Sequence, residues 1–398
     1  MIAPRRDDQG AVAVLVGILA VFLIGLSAFT VDLGAAYVSN RNLQKAADAG
    51  ALAAAQYLTK VPGTCNNIAS NSVEKEAAHQ KAIAIAKLNY PDASWVEDAS
   101  WDVKCDPQLK VLLVRFGNSG MTDANFAPIL GADDKVSTTR SSEATVDVAP
   151  GTGAGMRPLA LCSASFDPAY MERSGDFVRI HFPGAGRVPP SACNVSLSGN
   201  WWLTDCPGER TGAAGGADGL PNQIVNGCPD PVSVIPGQDD ATTPGALTVV
   251  LDDACPSAPQ YSETCMSGNP GNITQGQTAT AWQTFMNSGE AGVFPVFCAP
   301  TSCSAVTASG NGTNSVFPVY KLVSAYMCGY HFDKNTYYDS PHGNCAGNPY
   351  STSGDGSANN YFVFKFVNFR TSVSNKESEC ALGAAECDGG LRRTRLTG

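Results

Sequence analysis

The chain has 398 residues, a net charge of −10 and only 16% charged residues. That acidic balance lacks the basic footprint nucleic acids require. Its 40 Gly, 25 Pro and 14 Cys describe a loop-rich, β-leaning chain rather than a cytosolic enzyme, with length enough for two cores.

The first predicted element is the charge-free run Ala11 to Val31, preceded by Arg5 and Arg6. As a helix it is about 31 Å long, the thickness of a bilayer's hydrocarbon core. It is longer than the apolar core of a cleaved secretory signal, and Leu26-Ser27-Ala28 is a poor cleavage site. The run therefore reads as a single membrane anchor. The two arginines place residues 1–10 in the cytoplasm, because acidic residues such as Asp7 and Asp8 count for little in orientation. The cysteines agree with this orientation. All lie between Cys65 and Cys387, as expected of disulfides outside the cytoplasm.

Nothing breaks the helical pattern at the membrane surface, so one helix is expected over about 12–58. Beyond the anchor it is alanine-rich. Ala46, Gly50 and Ala54 share one face at a spacing that lets another backbone approach closely, and Ala13 and Gly17 repeat the pattern within the anchor. Asn71 and Glu74 open a second helix, with Ala78, Ile85 and Leu88 among Ala82, Ile83 and Ala86 on its apolar side and Pro91 at its end. Strands are expected at Trp95–Lys104, Leu109–Phe116 and Val136–Val148, with a short helix around Asp123–Leu130. Cys65 and Cys105, the only cysteines before residue 150, are expected to pair. Residues 32–148 thus read as a small α+β unit.

Residues 149–156 read as a linker. Residues 157–387 hold the other cysteines and read as a disulfide-rich, mainly-β extracellular domain. Its strands are expected at Val178–Phe182, Leu247–Leu251, Gly292–Phe297, Ser315–Leu322 and Asn360–Ser372, with a helix at Thr278–Asn287 stopped by Gly289. In Tyr361–Phe369 both faces are apolar, so this strand belongs in the middle of a sheet. The four residues Val-Phe-Pro-Val occur at 293–296 and again at 316–319, and their prolines suggest edges or bulges. Residues 388–398, with Arg392, Arg393 and Arg395, read as a mobile basic tail.

Candidate chemistry is sparse. Cys328 and His331, with His342 and Cys345, have the spacing of a tetrahedral zinc site, while in an oxidising compartment they read as cystines beside surface histidines. There is no G-x-S-x-G elbow and no H-E-x-x-H. No catalytic set, metal or cofactor is assigned, and no enzyme activity is expected. Trp201 and Trp202 offer a possible ligand surface for sugar stacking, against the alternative that they are core.

Three segments carry a resemblance: Gln9–Val14 entering the apolar run, Val31–Val38, and Leu43–Ala55. Together they resemble the TadE/TadG-like family of the tight-adherence (Flp-type) pilus assembly system. Shorter likenesses lie at Ala127–Gly131, Gly155–Pro158 before Cys162, and Asn200–Trp202 near Cys206. The resemblance makes residues 32–148 a pilin-like unit. It implies a single-pass, surface-exposed minor pilin-like or assembly accessory protein. Its partners would be pilus-assembly or other membrane proteins met through the anchor helix, with a cell-wall or surface glycan as a further partner. The sequence departs from prepilins at Leu15, where a glutamate is expected five residues after Gly10. It also lacks the D-x-S-x-S adhesion loop, as Asp92-Ala-Ser94 and Asp355-Gly-Ser357 both stop short. The alternative is an anchored extracellular carbohydrate-binding protein or glycan-active enzyme.

Overall fold

The structure is a computed structural model. It describes residues 9–91, 100–131, 133–149, 151–152, 155–166, 171–181, 202–206, 219–229, 232–233, 265–267, 273, 276–297, 316–332, 336–350, 360–371, 380–384 and 387–397. The fold is α+β: a long N-terminal helix leads into two main sheets of mostly antiparallel strands, with a third, two-stranded pairing beside them.

Helix α1 runs unbroken over Gln9–Leu58. Alanine-rich sequence favours its second half, Ala and Leu offset the β-branched Val and Ile of its first, and no proline interrupts it. At 1.5 Å per residue it is about 75 Å long. Its first half, from Val12 to Val38, is largely exposed; from Ser39 on it is progressively buried. The two halves therefore meet different surroundings.

The buried half lies on the first sheet with α2 (Cys65–Ser70) and α3 (Ser72–Asn89). Asn71 caps α3 by accepting from the N–H groups of Val73 and Glu74 at 3.2 Å each. The buried face of α3 is Ala78, Ala82 and Ala86, whereas Ile85 and Leu88 are 37% and 78% exposed. This corrects the expected apolar side. The helix packs so close to α1 that only alanines fit the seam, and the larger side chains turn outward.

The first sheet is built from β1 (Asp102–Asp106), β2 (Val111–Asp123), β3 (Lys135–Val148), β14 (Phe369–Arg370) and β15 (Leu391–Leu396). Its strand order is β1-β2-β3-β15-β14. The long β2–β3 hairpin pairs from Leu112↔Val146 out to Asp123↔Lys135. A 3-10 turn, Ala127–Leu130, lies at its tip in place of the expected short helix. Of the strand expected at Trp95–Lys104, residues 92–99 lie outside the described residues.

The last strand overturns the expectation of a mobile basic tail. β15 pairs with β3 from Arg392↔Val148 to Leu396↔Ala144, and Arg392 and Arg393 are 2% and 3% exposed. Their charges are matched inside the fold. Arg393 Nε sits 2.8 and 2.9 Å from the two carboxylate oxygens of Asp147, Arg395 is 3.6 Å from one of them, and Arg392 pairs with Asp388. Neutralised pairs and a vacant sheet edge beside β3 hold a segment that its composition alone would leave in water.

The second sheet is larger. Its strands are β5 (Leu161–Cys162), β6 (Glu172–Ser174), β7 (Phe177–His181), β10 (Gly292–Phe297), β11 (Val316–Phe332) and β13 (Tyr361–Phe366); β9 (Cys265–Ser267) and β12 (Thr336–Asp339) flank β11. They run in the order β5-β10-β11-β13-β7-β6. Strand β13 is central, with β11 on one side and β7 on the other. The two Val-Phe-Pro-Val segments lie in neighbouring strands; Pro295 pairs in register with Leu322, and the register shifts between Val296 and Phe297, where β11 carries the extra residue Tyr320. Helices α4 (Gly219–Asn226) and α5 (Gly276–Ser288) cover the sheet, and Gly289 ends α5 at φ +66°. The strand expected at Leu247–Leu251 lies outside the described residues. Within the expected linker, Gly151–Thr152 (β4) pairs with Val232–Ser233 (β8).

A third, smaller core joins the sheets. It gathers Ala149, Met156, Val293, Val319, Leu322 and Leu391. Across the same junction Asn368 donates to the Val61 carbonyl at 3.0 Å, and Ser324 N–H donates to the Gly389 carbonyl at 3.0 Å.

Candidate functional site

The residues that stand out for function are on α1. Between Val12 and Val38 its large apolar side chains are exposed, among them Leu15 at 68%, Leu19 at 59% and Phe22 at 62%. Soluble proteins rarely display such a surface, because each apolar side chain gains about 1.5–3 kcal/mol on leaving water. Among the described residues this is the one helix long and apolar enough to cross a membrane.

The small-residue face further along α1 meets close neighbours within this chain. Ala46 and Ala54 are fully buried, and Gly50 lies against the protein's own core. A Cβ on Gly50 would fall 2.5 Å from Phe116 ring carbons of β2 and 3.2 Å from the Ala82 carbonyl of α3. The close approach is made by this chain's hairpin and α3. Gly17, Gly25 and Gly34 stay open, and a Cβ added at any of them would meet nothing within 4 Å.

Asp32 marks the point where the apolar run ends. Its carboxylate accepts three backbone N–H bonds from the hairpin tip, from Asn125 and Phe126 at 2.9 Å and from Ala127 at 2.8 Å. One acid thus satisfies the free amides that open the 3-10 turn and fastens the tip to the helix. Next to this clamp is an apolar cavity of about 390 Å³, lined by Phe29, Leu33 and Ala36 of α1 and by Ala124, Phe126 and Val136 of the hairpin. Sequence reasoning gave Asp32 no role. Its signal was an acid placed directly after 21 uncharged residues.

The remaining candidates resolve as structure. Cys65 and Cys105 are bonded at 2.08 Å and tie α2 to β1. Cys328 and Cys345 are bonded at 2.02 Å, so neither offers a thiolate, and the four residues are not a zinc site. The two histidines have other work: the His331 ring stacks on Tyr361, and His342 Nδ1 accepts from the Asn344 N–H. Cys206–Cys228 and Cys380–Cys387 are further cystines, and Cys162 is also disulfide-bonded. Trp202 is 1% exposed, with its ring edge-on to Phe297, so it is core and no sugar platform. Trp201 lies outside the described residues.

Two charged clusters remain. Half-buried Glu172 sits 3.2 Å from His181 Nε2 and accepts from Arg179 Nε at 2.6 Å. The hydrogen bond with His181, aided by Arg179 and opposed by burial, holds the Glu172 carboxyl down at about 2. Arg157 is 4% exposed, donates to the Val225 carbonyl at 2.8 Å and lies over the Phe285 ring; burial brings its guanidinium down to about 10. Both clusters tie strands or helices together. Among the described residues no group of three or more His, Cys, Asp or Glu is placed to hold a metal ion.

An exposed apolar half-helix running without a break into a small-residue seam is the feature the comparisons also pick out. Residues 10–56 match the family model of putative Flp pilus-assembly TadE/G-like proteins. The matched TadE/G-like segment is almost the whole of α1, from the anchor to the end of the buried seam. The likenesses at 127–131, 155–158 and 200–202 fall beyond it. No curated protein and no solved structure matches the chain.

Proposed function

We propose that this protein is a single-pass accessory, or minor pilin-like component, of a Flp-type pilus assembly system. The observation that carries the reading is the coincidence of two boundaries. The segment matching the pilus-assembly family is the same helix whose first half exposes its apolar side chains and whose second half seats the folded part. In this reading Arg5 and Arg6 keep the N-terminus in the cytoplasm, and both sheets lie on the extracytoplasmic side, where the cystines form.

Contacts with other assembly proteins are made in the membrane, where Ala13, Gly17 and Gly25 leave room for a second helix. The Ala46, Gly50 and Ala54 face is occupied within the chain and serves the fold. Leu15 is exposed and uncharged. It cannot supply the acid that would pair with a neighbouring subunit's N-terminal amine. The helix therefore acts as a permanent anchor, and the protein works through protein–protein contact without catalysis.

The test is crosslinking in the intact cell followed by purification of the full chain. Pilus-assembly proteins are expected in the purified complex, and deletion of the gene is expected to reduce surface fibres. Unchanged fibres together with no co-purified assembly protein would overturn the reading.

A second reading, binding of an acidic surface glycan, is favoured by one feature. A cleft of about 810 Å³ between the two sheets is lined by Lys60, Arg173, Lys321, Lys365 and Arg370 against Asp176 and Asp388. Saturable, salt-sensitive binding of acidic wall polymer by the full chain in detergent would support it.

A further inference from the structure

We propose that the tip of the β2–β3 hairpin is a second membrane-contacting element, whose apolar cavity takes phospholipid acyl chain from the outer leaflet. The inference rests on the anchored orientation given above.

Height along α1 makes the first argument. If residues 11–31 fill the hydrocarbon core, Asp32 lies one residue, about 1.5 Å, beyond its edge. The headgroup zone on each side is about 5–8 Å deep, the difference between a core of about 30 Å and a full bilayer of about 40–45 Å. Three hydrogen bonds of 2.8–2.9 Å fix Asn125, Phe126 and Ala127 to the Asp32 carboxylate. The tip is thereby held in the headgroup zone, with no freedom to stand clear of it.

Surface chemistry makes the second. Met121, Phe126 and Val136 are 65%, 37% and 44% exposed at this tip. The cavity that Phe126 and Val136 help to line is also lined by Phe29, about one helical turn below Asp32 and so inside the hydrocarbon, and by Leu33 and Ala36. Phe29 and Leu33 belong both to this wall and to the exposed apolar surface of α1. The cavity's one anchor-side acid is Asp32, whose oxygens are taken up by the three amides. Asp123 also lines it and is exposed, as are Asp133, Asp134 and Lys135 at the same hairpin tip, on the side of headgroups and water. A mostly apolar recess opening onto hydrocarbon, whose two lining acids are Asp32, held by the amides, and Asp123, exposed at the hairpin, is the arrangement of an interfacial lipid contact. Tyr37, 61% exposed on the next turn of α1, suits the same aqueous boundary.

The test places the photo-reactive residue p-benzoylphenylalanine at single positions of the full chain, reconstituted in phosphatidylglycerol vesicles, and reads lipid adducts by mass. Position 126, and independently position 121, are expected to give lipid adducts. Position 73 on α3 is expected to give none: Val73 is 74% exposed, and its neighbour Glu74 meets Tyr57 at the end of α1 away from the anchor. Position 19, in the middle of the run, reports on the anchor itself. Adducts at 19 with none at 126 and 121 would overturn this inference and leave the anchor intact. No adduct at 19 would overturn the anchor reading. Capture of a second copy of the chain at 126 in place of lipid would also overturn the inference. Asp32→Ala is expected to abolish most of the adduct at 126 while leaving that at 19 unchanged.

Discussion

The two sheets are packed by opposite means. Over the first, α1 and α3 meet through alanine and glycine, and the contact is close enough that Gly50 touches Phe116 and Ala82. Over the second, the core is built from large rings: Trp282 edge-on to Phe362, Phe294 to Phe364, Phe297 to Phe317, at centroid distances of 5.2–5.3 Å. A small-residue seam derives its specificity from backbone approach, and an aromatic core from the shape and area of the rings. The first should fail when atoms are added and the second when they are removed.

Within the first sheet, the buried ion pair between β3 and β15 should be the most sensitive contact. Asp147→Ala takes the carboxylate from Arg393, which is 3% exposed, and releases the strand that closes the first sheet from the far end of the chain. A loss of about 3–5 kcal/mol is expected, read by denaturant unfolding of the full chain in detergent. An unchanged midpoint would mean that β15 contributes nothing to the first sheet. In the aromatic core, Phe362→Ala is expected to cost about 3–5 kcal/mol by transfer and cavity formation. In the seam, Gly50→Ala adds a single methyl and is expected to cost about 1–3 kcal/mol through overpacking. If Gly50→Ala were neutral, or if Phe362→Ala were as mild as it, the contrast between the regions would fall.

The smallest expected effect is on pH dependence. Glu172 has its folded carboxyl lowered from 4.5 to about 2, chiefly by the His181 hydrogen bond. A lowered carboxyl contributes stability that is full above about pH 4.5 and is lost as the pH falls through about 2. Glu172→Gln is therefore expected to flatten the acid limb of the stability profile between those values. The variant should fall below the wild type at neutral pH and come closest to it near pH 2. A wild-type acid limb in the variant would show that the group does not carry the effect.

Where sequence and structure agree, local physics suffices. The continuity of α1 followed from a composition with no helix breaker, the Asn71 cap from a side chain suited to free amides, and the central place of β13 from apolar residues on both of its faces. Where they part, a neighbour decided. Ile85 and Leu88 face outward because α1 leaves no room for them, and Trp202 is core because Phe297 lies beside it. Cys328 and Cys345 are a cystine because the fold brings the second against β11, which carries the first.

By itself, then, the sequence determined that a charge-free run of bilayer length leads into an alanine-rich helix, because hydrophobic length and helix propensity are properties of a single segment. Only the tertiary structure decided what the rest of that helix touches, that Asp32 holds the hairpin tip beside the anchor, and that the terminal arginines lie in a sheet. The Asp32 clamp on Phe126 joins residues 94 positions apart, and the Asp147–Arg393 pair joins residues 246 apart. Local propensity does not reach across such separations, and the cost of burying a charge is set by the partner that meets it.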